Sequence, residues 1–275
     1  MKAPLWANPY ADDAEPLAPD SAQQNLSVLK AVALIGCFVG DSPGATLSEL
    51  ARRTGMNVST AYRMLRTLTH TGVLIRLPNE DRYVPGPMLM AMSCTLMSQE
   101  GYAREMGILQ ELATATGGRA GLGFRAGTCV AILFAAGTED RARSGYRPGE
   151  RLNLQCTALG KAILSAQPRP ALQMARALGP LQPMTPHSLT EPEALAEAIE
   201  TARTCGYALS RNETRIGVLD IAVPLPDSGS ATGTRLALGV QFAVAAFDPR
   251  QEGAIAAALK EAAQQLAGRL DLLPF

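Results

Sequence analysis

The sequence predicts an α+β fold in two parts: a helical N-terminal unit closed by a β-hairpin, and a larger C-terminal domain with a mainly antiparallel sheet. Three observations carry that prediction. Between Gln24 and Gly72, apolar residues recur at three- and four-residue steps and are punctuated by helix caps. Beyond Gly117-Gly118 the grain changes to short apolar runs interleaved with helical stretches. The 275 residues, 47% hydrophobic and 18% charged, suit two ordinary globular domains and exclude a disordered or fibrous chain.

Residues 1–23 hold four prolines and four acids among the first twenty positions and read as a flexible tail. From Gln24, the steps Leu26, Leu29, Val32, Ala33 and Gly36 predict a first helix, ended by the breaker cluster Gly40-Asp-Ser-Pro-Gly44. Thr46-Leu-Ser-Glu49 is a capping box opening a short second helix that runs to Gly55, with Leu47, Leu50 and Ala51 on its apolar face. Asn57 is placed as the N-cap of a third helix, Ser59 to His70, with Ala61, Met64, Leu65 and Leu68 inward and Gly72 as terminator. Val73–Leu77, a turn at Pro78–Asp81 and Arg82–Val84 read as a hairpin. Three helices and a hairpin over residues 24–86 make the plan of a winged helix-turn-helix.

Residues 87–116 read as a linker region of one or two methionine-rich helices broken near Gly101, suited either to self-association or to packing on the chain's own second domain. In residues 117–275 the predicted strands are Gly121–Phe124, Cys129–Ala136, Leu152–Leu154, Ile216–Leu225 and Leu236–Val244. The helices between them are Thr157–Ala166, Ala171–Leu178, Pro192–Cys205 and Pro249–Leu270, with a second capping box expected at Thr190-Glu-Pro-Glu193 and Asp248-Pro249 at the entry of the last.

The formal net charge of zero hides an asymmetry: residues 1–23 carry −3, and residues 24–87 carry +3, with six arginines among seven cations. An arginine-rich excess on a small helical unit favours phosphate contact and base reading over membrane attachment, because the guanidinium fork matches oxygen pairs and guanine edges. Five cysteines without a CxxC pair, and only His70 and His187 beside them, predict free thiols and no metal site. No apolar run reaches the roughly 18 residues of a membrane span and the N-terminus lacks a signal-peptide core, so a cytoplasmic protein without a membrane partner is expected.

The stretch from Thr46 to Leu68 (Thr-Leu-Ser-Glu-Leu-Ala-Arg-Arg-Thr-Gly-Met-Asn-Val-Ser-Thr-Ala-Tyr-Arg-Met-Leu-Arg-Thr-Leu), followed by Gly72, resembles the DNA-binding half of IclR-type regulators. Gly149 to Leu164 (Gly-Glu-Arg-Leu-Asn-Leu-Gln-Cys-Thr-Ala-Leu-Gly-Lys-Ala-Ile-Leu) resembles that family's effector-domain motif. Gly206-Tyr-Ala, Glu213, Gly217 and Ile221-Ala-Val-Pro224 resemble its second. The resemblance spans residues 24–270 and implies a GAF-like C-terminal domain that senses a small organic molecule, with a homodimer or homotetramer acting on double-stranded operator DNA. It implies no cofactor and no catalysis.

In a helix-turn-helix the N-terminal part of the third helix enters the major groove while neighbouring groups hold phosphates. Arg63 and Thr60 are therefore expected to approach bases. Ser59 and Asn57 are expected to contact phosphate or cap the helix, Thr46, Ser48 and Arg52 to touch the backbone, and Arg82 on the wing to meet a phosphate. Arg53 and Arg66 read as solvated face, and Tyr62 as a core or backbone-anchoring residue.

The resemblance implies an effector pocket facing the loop Thr157-Ala-Leu-Gly160, whose helix N-terminus suits an anion. Thr157, Ala158 and Gly160 line it on one side, and Ser210, Asp220, Gly239 and Gln241 on the other. Gln155 stands where the family often has histidine, Asp220 where cysteine is frequent, and Gly239 and Gln241 where small hydroxyl residues are frequent. A buried aspartate repels an anion unless paired or protonated. A neutral or amine-bearing effector is thus expected, unless Arg141, Arg143 or Arg147 pairs with Asp220 and restores anion binding.

Gly121-Leu-Gly-Phe-Arg-Ala126 imitates a dinucleotide fingerprint but leads into a strand, and so reads as a strand edge and turn. Lys161 lacks phosphate-loop spacing, no GxSxG elbow occurs, and Cys156 reads as a small packed residue. The rivals to a ligand-responsive DNA-binding regulator are a GAF-like enzyme with an accessory helix-turn-helix, and a winged-helix module that binds protein.

Overall fold

A computed structural model describes residues 25–38, 44–78, 80–97, 100–137, 145–226 and 236–267. The tail read at 1–23 and the breaker cluster Gly40–Pro43 lie outside them. The chain divides into two units, residues 1–102 and 103–275, the division falling within the stretch read as a linker.

In the first unit, α1 (Leu26–Gly36) is capped by Asn25, whose side chain accepts the Ser27 amide at 3.0 Å. Strand β1 (Ala45–Thr46) leads into α2 (Leu47–Thr54), and Gly55 closes that helix in the left-handed region at φ 67°, where a Cβ is penalised. The expected capping box is present: the Glu49 amide donates to Thr46 Oγ1 and the Thr46 amide to Glu49 Oε2 at 2.8 Å. α3 (Val58–His70) follows the Asn57 cap, and β2 (Leu74–Leu77) and β3 (Arg82–Pro85) form the wing. The small sheet runs β1-β3-β2, all antiparallel, so the two-residue β1, unread in the sequence, adds a third strand. Leu34, Leu50, Leu65, Leu68, Leu74 and Tyr83 form the core. α4 (Pro87–Met97) completes the unit.

The second unit takes in α5 (Glu100–Thr116) from Ala103. Gly101 lies within α5, and residues 98 and 99, beside the expected break, lie outside the described residues. Strands β4 (Arg119–Ala126), β5 (Cys129–Ala136) and β6 (Arg151–Asn153) come next, followed by a 3₁₀ turn at Leu154–Cys156, α6 (Ala158–Ser165), α7 (Ala171–Ala177) and α8 (Pro192–Cys205). The chain then adds β7 (Ala208–Arg211), β8 (Val218–Pro224), β9 (Leu236–Ala243) and α9 (Glu252–Ala267), the last preceded by a 3₁₀ turn at Pro249–Gln251 that Asp248 caps. The six strands form one antiparallel sheet in the order β6-β5-β4-β9-β8-β7. The glycine-rich β4 is thus an interior strand rather than a strand edge.

Alternation sorts this sheet into two faces, because successive strand residues point to opposite sides. Leu219, Ile221, Val223, Leu238, Val240 and Phe242 pack with Leu109 and Leu112 of α5 and Leu259 and Leu266 of α9. Each such leucine stabilises the fold by about 1.5–3 kcal/mol. The opposite face carries small residues, among them Ala208, Ala222 and Gly239, and α6 lies against it, buried over every residue from Ala158 to Leu164. The second capping box does not form. Glu191, not Thr190, is the N-cap of α8 and makes no side-chain cap bond, so Glu193 falls at the second rather than the third helical position; its carboxylate pairs with Arg176 at 2.8 Å.

Candidate functional site

Burial along α3 marks its outward face. Val58, Ser59, Tyr62, Arg63, Arg66, Thr67 and His70 are exposed, at the three- and four-residue steps of one helical stripe, while Ala61, Leu65 and Leu68 are buried. Arg63 stands in the middle of that stripe and Thr60 is half-buried beside it. Tyr62 is 45% exposed, which removes it from the core and puts it next to Arg63. Of the two readings of Tyr62 from the sequence, a core or a backbone-anchoring residue, its exposure excludes the first.

Several of the polar candidates already have partners. Asn57 Oδ1 accepts the Thr60 amide at 2.8 Å and the Ser59 hydroxyl at 3.0 Å, and Thr46 is engaged in its capping box. Ser48 and Arg52 are exposed on α2. Arg82 Nη2 donates to the Gly44 carbonyl at 2.6 Å, and Arg53, read as solvated face, reaches the Cys37 carbonyl at 3.3 Å. Arg76 pairs with Asp81 at the wing tip.

In the second unit, β-pairing places Ser210, Asp220, Gln241 and Arg119 in one row across four strands, and Ala208, Ala222, Gly239 and Gly121 in the next. Both rows lie on the face toward α6. Thr157 caps α6, its hydroxyl accepting the Gly160 amide at 2.9 Å. The Ala158 amide donates to Asp220 Oδ2 at 2.7 Å, and the Tyr146 hydroxyl approaches the same oxygen at 3.4 Å. Asp220 is fully buried, and no donor among the described residues reaches its Oδ1. Burial pushes its pKa up to about 7 against the opposing pull of the Ala158 amide, Lys161 and Tyr146. The side chain that donates to Asp220 is that of Tyr146, and Arg141 and Arg143 lie outside the described residues.

The remaining predicted residues are equally specific in position. Ser210 donates to the Cys156 carbonyl at 2.8 Å. Gly160 is in tight contact: a Cβ there would stand 1.9 Å from the Leu154 carbonyl oxygen. Gln155 donates to the Gln182 carbonyl at 3.0 Å. Gln241 and Val218 reach a cleft of about 160 Å³ that is also lined by Glu150, Arg151 and Arg215.

A buried ion pair was missed. Lys161 Nζ lies 2.5 Å from Glu213 Oε1 and also donates to the Leu209 carbonyl. Burial raises the Glu213 pKa while Lys161 opposes the rise. The signal was present, since α6 is buried all round and a lone lysine in such a helix requires a partner.

The N-terminal residues 27–78 match the model of the IclR helix-turn-helix domain, and residues 95–268 that of the C-terminal domain of bacterial IclR transcriptional regulators. The chain belongs to the IclR family. It is a DNA-binding transcriptional regulator and not an enzyme, which decides among the three readings of the sequence. Among curated IclR-type relatives, the regulator BhcR of Paracoccus denitrificans is 34% identical over 192 residues, 69% of this chain and 68% of that one. An IclR regulator structure from Alicyclobacillus acidocaldarius shares the fold with TM-score 0.76 at 24% identity, over 89% of this chain and 98% of that one. An IclR homologue from Microbacterium hydrocarbonoxydans, solved in complex with 4-hydroxybenzoate, shares it with TM-score 0.70 at 20% identity, over 89% and 99%. No helix among the described residues is long and apolar enough to cross a membrane.

Proposed function

We propose that this IclR regulator reads operator DNA with the exposed face of α3 and answers a small molecule bound on the sheet face beneath the N-terminus of α6. Arg63 and Tyr62 lie at the centre of the DNA face, Ser59 and Thr60 flank them, and Ser48 and Arg52 contact phosphates. The observation that carries the effector assignment is the buried Asp220 carboxylate on the Ala158 amide, a polar centre set in a face of glycine and alanine. That carboxylate disfavours a simple acid and favours a neutral or amine-bearing effector able to donate to Oδ1. The complex of the Microbacterium homologue supports a small organic ligand for this fold.

The active form is a homodimer or homotetramer in the cytoplasm. Exposure of Met88, Met90 and Met92 on α4 supports self-association through that helix. A test is fluorescence anisotropy with DNA from upstream of the chain's own gene, before and after addition of a panel of metabolites. Expected is salt-dependent binding of one palindromic fragment, altered by a metabolite that is recovered unchanged. Equal affinity for that fragment and for random DNA overturns the proposal.

A further inference from the structure

The polar centre beneath α6 is already filled, and by side chains that have been given room. Gly121 and Gly239 face each other across β4 and β9. A Cβ on Gly121 would come within 2.5 Å of the Tyr146 ring, and one on Gly239 within 2.9 Å of its hydroxyl. Paired bare positions in the middle of a sheet leave a shallow slot with a backbone floor, since glycine in a strand weakens it unless something approaches closely. Tyr146 occupies the slot and is fully buried. Its backbone is held as well, the carbonyl accepting from Arg119 Nε at 2.6 Å. Its hydroxyl points to the Asp220 carboxylate, which takes the free Ala158 amide at the positive end of α6.

We infer that Tyr146 and Asp220 together are an internal occupant of the effector site, an aromatic ring and a carboxylate supplied by the chain in the positions an aromatic acid would fill. The inference rests on the reading of this face as the effector site. Three parts support it: a helix amide in need of an acceptor, a carboxylate whose second oxygen has no donor among the described residues, and a slot cut by two glycines to the shape of one ring. The consequence is that the native chain is closed to small carboxylates. An external ligand must first displace the Tyr146 ring, and then meets Asp220 as an acceptor rather than the helix amide as a donor.

The test uses benzoate, which carries one ring and one carboxylate, titrated calorimetrically into the full-length protein. The position of the ¹⁵N-labelled Ala158 amide resonance provides a second readout. The wild type is expected to show no benzoate binding. The Tyr146→Ala/Asp220→Ala double variant, which frees both slot and amide, is expected to bind at least tenfold more tightly and to shift the Ala158 resonance. If the double variant does not fold, Asp220→Ala alone is titrated with acetate and read at Ala158, with Asp220→Asn, which keeps an acceptor on that amide, as the unresponsive control. Equal benzoate affinity in wild type and double variant, or no binding and no Ala158 shift in any variant, overturns the inference. Failure of the underlying site reading has a different signature: the double variant gains benzoate at Ala158, yet its operator affinity does not respond.

Discussion

Asp220 Oδ2 accepts the Ala158 amide at 2.7 Å, so a carboxylate on an interior strand caps a helix that begins 62 residues earlier in the chain. The bond compensates only part of what burial costs the charge, and the carboxyl is left with a pKa of about 7 against an ordinary 3.8.

That relationship sets a pH dependence with a definite sign. A carboxyl whose pKa is raised on folding binds a proton more tightly in the native state, so its contribution to stability is greatest below about pH 4 and is lost as pH rises to about 7. Asp220→Asn keeps the shape and an acceptor for Ala158 but does not titrate. The melting temperature of the variant relative to wild type should therefore rise between pH 5 and pH 8, when both are measured by scanning calorimetry in matched buffers. A constant difference across that range would show that the carboxylate is not held in an unfavourable site. Tyr146, Lys161 and Glu213 are the groups acting on it, and all three are common to both proteins.

The Lys161–Glu213 pair is a stability element with no way to relax into water, since its side chains are 2% and 10% exposed. Removing one partner leaves the other charged in the interior. Lys161→Met or Glu213→Leu alone should each cost about 3–5 kcal/mol in urea denaturation. The double replacement should cost clearly less than the sum, because no uncompensated charge remains. Additive losses would indicate that each residue acts through separate contacts.

Gly160 and Gly107 both lie in helices, but their surroundings predict opposite outcomes for alanine. At Gly160 the added carbon meets the Leu154 carbonyl oxygen at 1.9 Å, so α6 must shift away from the 3₁₀ turn before it, at about 1–3 kcal/mol. Nothing lies within 4 Å of a Cβ at Gly107. Gly107→Ala should stabilise by about 0.5–1 kcal/mol through helix propensity alone. Chemical denaturation of both variants distinguishes the two, and a stable Gly160→Ala would contradict the close packing of α6 on Leu154.

The features legible in the sequence were those set by neighbours within four residues. Thr46 with Glu49, the Asn57 cap, and Pro192 opening α8 each announce themselves because capping is local chemistry. The glycines of β4 could not be understood that way. Gly121 and Gly123 matched part of a nucleotide-binding pattern, whereas their reason is a Tyr146 ring and the Val130 and Leu159 side chains brought in from elsewhere in the fold. Strand β7 was missed for a related reason: four residues at a sheet edge give too short an alternation to read. Asp220 was found through family resemblance, but its partner Tyr146 lies outside the quoted motifs and required the fold.

Arg63 and Arg82, two of the three arginines expected at the DNA, should separate in their effects. Arg63 is exposed on the outward stripe of α3, so Arg63→Ala removes a reader without removing a fold contact. Operator affinity should fall by about tenfold to a hundredfold with stability changed by less than about 0.5 kcal/mol. Arg82 already donates to the Gly44 carbonyl, tying the wing to the residue before β1. Arg82→Ala should therefore lower the melting temperature as well as weaken binding, at about 1 kcal/mol for the lost hydrogen bond. Tyr62→Ala provides the third point. Tyr62 is 45% exposed on the same stripe of α3, so its removal should weaken operator binding without destabilising the core. Anisotropy titrations at two salt concentrations, paired with thermal melts, resolve these cases. If Tyr62→Ala and Arg63→Ala leave operator affinity unchanged while the domain stays folded, the outward face of α3 has been assigned to the wrong partner.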